Sequence, residues 1–284
     1  MSIKLIECPR DAMQGLHDFI PTDIKAAYIN SLLKVGFDTI DFGSFVSPKA
    51  IPQMKDTAEV LSMIDLSQTR THLLAIVANL RGAEDASGFS QIKYLGFPFS
   101  VSQEFQKRNT NSTIEESLVV VEEIQNICIR NNKELVIYIS MGFGNPYGET
   151  WNSDIVIGWV KKLSKLGIKT IALSDTVGVS NPSNITQLFT HLISEFTDIE
   201  FGAHLHSHPS TWEEKVNAAF KSGCRRFDSA MKGIGGCPMA NDELVGNLAT
   251  ENLVTYFEKK NESLTINHAA FTESLLKAAA TFPS

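Results

Sequence analysis

Eight short apolar runs, each followed by a stretch of helical periodicity, predict an α/β protein of the (β/α)8 or TIM barrel type. A doubly wound open sheet gives the same alternation, and two observations favour the closed barrel over it. The length of 284 residues suits one such barrel as a single domain. Polar residues capable of chemistry also collect where the strand candidates end. Those ends share one rim in a barrel, whereas an open sheet scatters them along a line.

The strand candidates, in order, are Ile3–Cys8, Phe37–Phe42, Leu73–Val77, Ile92–Ser100, Leu135–Ser140, Ile168–Ser174, Glu200–His206 and Arg226–Ala230. Helical stretches fall near 22–35, 51–64, 82–88, 112–131, 153–166, 182–196, 210–222 and 250–260. Several open on recognisable start signals: Pro21-Thr22, Ser112-Thr113 with Glu115-Glu116 behind it, and Asn181-Pro182-Ser183. Gly36, Gly167 and Gly223 stand where helices must stop before the next strand. A last pattern, Asn261–Ala280, falls outside the eightfold repeat. The chain therefore divides into a barrel over residues 1–260 and a C-terminal helix and tail, 261–284, packed on it.

With 43% hydrophobic and 20% charged residues the composition is that of a globular protein, and the net charge of −7 argues against a nucleic-acid partner. Four cysteines, Cys8, Cys128, Cys224 and Cys237, form no CxxC or zinc-finger spacing, as expected of reduced thiols in the cytoplasm. The first residues carry no signal-peptide pattern, and no apolar run reaches the length of a membrane span. A cytoplasmic protein without a membrane partner is expected.

His204 and His206 are the most informative residues. Side chains two apart on a strand point the same way, so both imidazoles converge at the end of the seventh strand. With a carboxylate from elsewhere they make a metal site, and an imidazole–carboxylate set suits Mg²⁺, Mn²⁺, Co²⁺ or Zn²⁺. The alternative is a pair of histidines bonded to backbone carbonyls. His208 precedes Pro209, where the strand should end, and is not taken as a ligand. Asp11 is the candidate third ligand, and Arg10 beside it could meet an oxyanion; the alternative for both is a surface ion pair or a helix cap. Asp41 and Asp175, at strand ends, could orient the histidines or act as bases, or simply cap helices. Cys237 lies in Gly233-Ile234-Gly235-Gly236-Cys237-Pro238, a loop flexible enough to carry a thiol over a site. Asn247 could offer a carbonyl oxygen to a cation or serve as a turn residue.

The order of these motifs resembles the 3-hydroxy-3-methylglutaryl-CoA lyase family of the DRE-TIM metallolyases. Five segments carry the resemblance: Pro9-Arg10-Asp11-Ala12-Met13-Gln14; Ser44-Phe45-Val46-Ser47-Pro48-Lys49 with Pro52-Gln53-Met54; Ser174-Asp175-Thr176-Val177-Gly178; His204-Leu205-His206; and Gly235-Gly236-Cys237-Pro238 with Gly246-Asn247-Leu248-Ala249-Thr250-Glu251. The resemblance implies a divalent cation held by Asp11, His204 and His206, with Asn247 joining or close by. It implies that Arg10 stabilises a thioester enolate, that Arg10 and Gln14 contact substrate, and that Cys237 carries a proton. Asp41 and Asp175 match family carboxylates near metal and substrate. The implied reaction is retro-Claisen cleavage of an acyl-CoA to acetyl-CoA and acetoacetate, by a homodimer or higher homo-oligomer. A Claisen-type acyltransferase condensing acetyl-CoA with a 2-oxo acid is the second reading, against which the Cys237 loop speaks. The chain departs from the pattern at Asp41, where the family has glutamate, at Ser207-His208-Pro209, and at Gly142-Phe143-Gly144-Asn145. Lys49, Arg81, Lys107 and Arg108 could meet CoA phosphates or stand as solvated charges.

Overall fold

The computed structural model describes residues 2–236 and 245–282. In chain order the elements are β1 (Lys4–Glu7), α1 (Pro9–Gln14), α2 (Thr22–Leu33), β2 (Thr39–Ser44), α3 (Thr57–Ser62), β3 (His72–Ile76), α4 (Leu80–Ser87) and β4 (Ile92–Ser100). They continue with α5 (Gln103–Thr110), α6 (Ile114–Arg130), β5 (Glu134–Ser140), α7 (Ser153–Lys165), β6 (Thr170–Asp175) and α8 (Pro182–Glu195). The chain then forms β7 (Glu200–Ser207), α9 (Trp212–Lys221), β8 (Arg226–Ser229), β9 (Gly246–Asn247), α10 (Thr250–Lys259) and α11 (His268–Thr281).

Parallel pairings run from β1 through β8, and β8 pairs back onto β1, so the sheet closes as the expected eight-stranded barrel. Parallel strands covered by helices are buried on both faces. Accordingly β2, β6 and β8 are buried at every residue. The main core lies between strands and helices; a second cluster of Leu74, Val136, Tyr138 and Ala172 fills the barrel itself. Lower in the barrel the Arg226 side chain occupies space that Gly202 leaves free, since a Cβ there would lie 3.0 Å from Arg226 Cδ.

Local chemistry explains most helix starts. α6 opens on a reciprocal capping box of Thr113 and Glu116, and α8 on one of Asn181 and Asn184 with proline at its first turn. Three differences from the sequence reading stand out. Residues 51–64 form a single tight turn at Pro52–Met54 and then α3, because the Asp56 and Thr57 side chains bond elsewhere. The unexpected α5 precedes α6, held by its Ser102 cap and ended by Asn111 in the left-handed region. The C-terminal helix begins only at His268, capped by Asn267. Residues 263–266 first pass across Gly36, where a Cβ would come within 2.3 Å of the Thr265 carbonyl oxygen. α11 then packs on α2, with Tyr28 and Phe282 meeting edge to face at 5.5 Å.

Candidate metal centre

β7 turns the His204 and His206 rings to one side, with centroids 5.2 Å apart. Pro9 starts α1 immediately after β1, and this short helix swings Asp11 over the barrel mouth. Ligand atoms of Asp11, His204 and His206 then lie within 4.8 Å of one another. The imidazole tautomers follow from their outer bonds. His206 Nδ1 meets the Thr176 carbonyl at 2.9 Å, and His204 Nδ1 meets Asp228 Oδ2 at 3.1 Å. A proton on each Nδ1 leaves a lone pair on each Nε2. His206 Nε2 is buried and has no hydrogen-bond partner, as a ligand nitrogen should be.

The electrostatics of His206 and Asp11 match a ligand role. Burial, and then the neighbouring His204, hold His206 below its usual pKa and so neutral. Burial acts on His204 in the same direction, but the Asp228 carboxylate more than offsets it and raises this imidazole. Burial pushes Asp11 up; Arg10, both histidines and the Asn247 amide outweigh it and bring Asp11 to about 2. A fixed carboxylate and two imidazoles fit a divalent cation.

Arg10 is held on every side. Its Nε and Nη2 donate to Asp41 at 3.0 and 2.5 Å, and its Nη1 donates to Asp11 at 3.1 Å and Gln14 at 2.8 Å. Gln14 also donates to Asp11 at 3.0 Å, one helical turn away on α1. Asp41 is raised to about 6, because burial, with help from Asp11 and Asp228, outweighs the Arg10 contact. Asn247 enters through β9, which pairs antiparallel with β7 at His206↔Asn247. Its amide donates to Asp11 Oδ2 at 2.6 Å and to the Ile234 carbonyl at 3.0 Å.

Arg10, Asp11, Gln14, Asp41, His204, His206 and Asn247 thus form one cluster. Asp175 does not join the ligands: its carboxylate accepts from the Ser180 amide and hydroxyl and from Lys215. This corrects the expectation that Asp41 or Asp175 orients a histidine, because Asp41 is taken up by Arg10 and Asp175 by Ser180 and Lys215. Asp228 and the Thr176 carbonyl do that work, and neither was singled out in the sequence. The inward spacing of Arg226 and Asp228, two apart on β8, was the available signal. Cys8 and Asp228 group with the other face of His204, but burial pushes the Cys8 thiol far up and holds it protonated, so this grouping lacks a thiolate ligand. Arg81 and Arg108 are engaged by Asp85 and Glu104 within their own helices. Cys237 lies outside the described residues.

A parallel barrel whose rim gathers a carboxylate, two imidazoles and a fixed guanidinium has the makings of a metal-assisted enzyme. The HMGL-like family model matches residues 3–281, and the chain belongs to that family. It is 31% identical to the hydroxymethylglutaryl-CoA lyase YngG of Bacillus subtilis, over 95% of this chain and 88% of that protein. It is 33% identical to the cytoplasmic 3-hydroxy-3-methylglutaryl-CoA lyase of Rattus norvegicus, over 89% of this chain and 73% of that one. The solved HMG-CoA lyase of Acinetobacter baumannii, in complex with coenzyme A and 3-methylmalate, superposes with a TM-score of 0.90 at 31% identity, covering 99% of this chain and 91% of that one. No described helix is long and apolar enough to cross a membrane.

Proposed function

We propose that this protein cleaves 3-hydroxy-3-methylglutaryl-CoA, or a close 3-hydroxyacyl-CoA, to acetyl-CoA and acetoacetate, with a divalent cation held by Asp11, His204 and His206. The observation that carries the reading is the convergence of those ligand atoms within 4.8 Å, beside a guanidinium already locked in place. The lyase names of relatives and the coenzyme A bound by a structural neighbour support it.

A bound cation, Mg²⁺ or Mn²⁺ in first place and Co²⁺ or Zn²⁺ as alternatives, would supply Lewis acidity to the substrate's oxygens. The residues do the rest. A base takes the proton of the tertiary hydroxyl; that oxygen forms a ketone as the C–C bond breaks, and the electron pair passes to the thioester carbonyl. Arg10 meets the negative charge that develops there, and Asp41 holds the guanidinium at the required angle. Gln14 fixes Arg10 and Asp11 to one helical turn. Cys237 would return a proton to the enolate carbon, giving acetyl-CoA. Asn247 braces Asp11, and turning its amide over would present a carbonyl oxygen to the same cation. Asp41 or Asp175 would serve as the base only by leaving its present partner, and burial raises the Asp41 carboxyl to about 6. Condensation with a 2-oxo acid is not favoured, since the named relatives are hydroxymethylglutaryl-CoA lyases. Cytoplasmic placement and a homo-oligomeric assembly belong to the same proposal.

The test is acetoacetate release from 3-hydroxy-3-methylglutaryl-CoA by Mn²⁺-loaded protein, with and without chelator. Chelator-sensitive release is expected. No release by protein shown to hold Mn²⁺ would contradict the substrate and direct attention to position 41 and to 207–209.

A further inference from the structure

We infer that Lys215 is a positioning residue for the metal ligand His206. The inference rests on the metal-centre reading above but not on the identity of the acyl-CoA. Lys215 projects from α9 into the barrel rim, where its side chain is only 3% exposed. Its ammonium has three donors and meets three acceptors: Asp175 Oδ2 at 2.9 Å, the Gly178 carbonyl at 3.0 Å and the His206 carbonyl at 3.1 Å.

Each acceptor belongs to the support of one imidazole. The β6–β7 ladder ends at Asp175↔Leu205, one residue short of His206. Lys215 therefore bonds the carbonyl of the first residue beyond the ladder. Asp175 and Gly178 flank Thr176, whose carbonyl meets His206 Nδ1 at 2.9 Å. Ser180 closes the same segment onto Asp175 through its amide at 3.1 Å and its hydroxyl at 2.5 Å. The Lys215 ammonium thus ties the backbone of His206 to the segment that orients its ring. Both ends of the ligand are held through one side chain, and a shift in either would turn Nε2 away from Asp11.

Removing the ammonium leaves the Asp175 carboxylate buried without its cation, so two variants are needed. Lys215→Met removes all three bonds; Lys215→Gln keeps two amide donors and protects the fold. Mn²⁺ affinity and the electron paramagnetic resonance line shape of bound Mn²⁺ are measured on the full chain, beside thermal melting. For Lys215→Met the Mn²⁺ Kd should rise by about tenfold or more, with a changed line shape, as for other groups that orient metal ligands. Lys215→Gln should fall between that variant and the wild type. A folded variant of either kind with the wild-type Kd and line shape, differing only in melting temperature, would reduce Lys215 to a prop and overturn the inference. Because Mn²⁺ binding is read without substrate, a wild type that binds the ion and cleaves nothing would sink the lyase reading and leave this one standing.

Discussion

His204 and His206 are equivalent in the sequence and differ in the structure by what holds Nδ1: a carboxylate in one, a peptide carbonyl in the other. The pair was legible because strand periodicity alone makes two such rings converge. Asp228 was not, since its bond to His204 spans 24 residues and depends on how β8 registers against β7. Replacing Asp228 with alanine frees the His204 ring and should weaken Mn²⁺ binding by about 10- to 100-fold, as a calorimetric titration would read. An unchanged Kd would show that the ring is aimed by packing alone. Glu7 supports the rim from below, accepting from the Met231 amide at 2.8 Å and the Thr250 hydroxyl at 2.6 Å. Burial raises its carboxyl from 4.5 to about 8. The folded protein therefore holds a proton there that the unfolded chain releases above its ordinary pKa. Stability from this group is full at low pH and drains as pH climbs from 4.5 towards 8. Glu7→Gln should flatten that decline, by up to about 1.4 kcal/mol per pH unit in denaturant unfolding free energy. Parallel curves for variant and wild type would contradict it.

At the scale of elements, α1 and β9, like α5, were parts that sequence did not supply. α1 is six residues long and has no amphipathic repeat to betray it. β9 is two residues long and is a strand only because β7 lies beside it. Both nevertheless carry site residues, Asp11 with Arg10 and Gln14 on one, Asn247 on the other. Between them runs Gly235, at φ +92°, where a Cβ would sit 2.8 Å from the Asp11 carbonyl oxygen, the Ala12 Cα and the Asn247 amide nitrogen. Gly235→Ala should thus cost about 1–3 kcal/mol of stability and, by pushing Asp11 from Asn247, weaken Mn²⁺ binding as well. Loss of stability with metal affinity intact would mean that the loop, not the site, absorbs the strain.

For the whole molecule, the barrel was legible because alternating apolar runs and helical patterns are a repeated signal, in which one misplaced boundary does not alter the count. Closure is what the repeat is for. It brings Asp11 and Asn247, 236 residues apart, within hydrogen-bond reach, and sets both against the histidines of β7. Metal binding is therefore a property of the closed sheet and of no single segment. Diffraction from crystals grown with Mn²⁺, collected where manganese scatters anomalously, tests this most directly. One strong peak is predicted between Asp11, His204 Nε2 and His206 Nε2, at about 2.0–2.3 Å from each ligand atom. A fully loaded crystal with its manganese anywhere else would contradict the account.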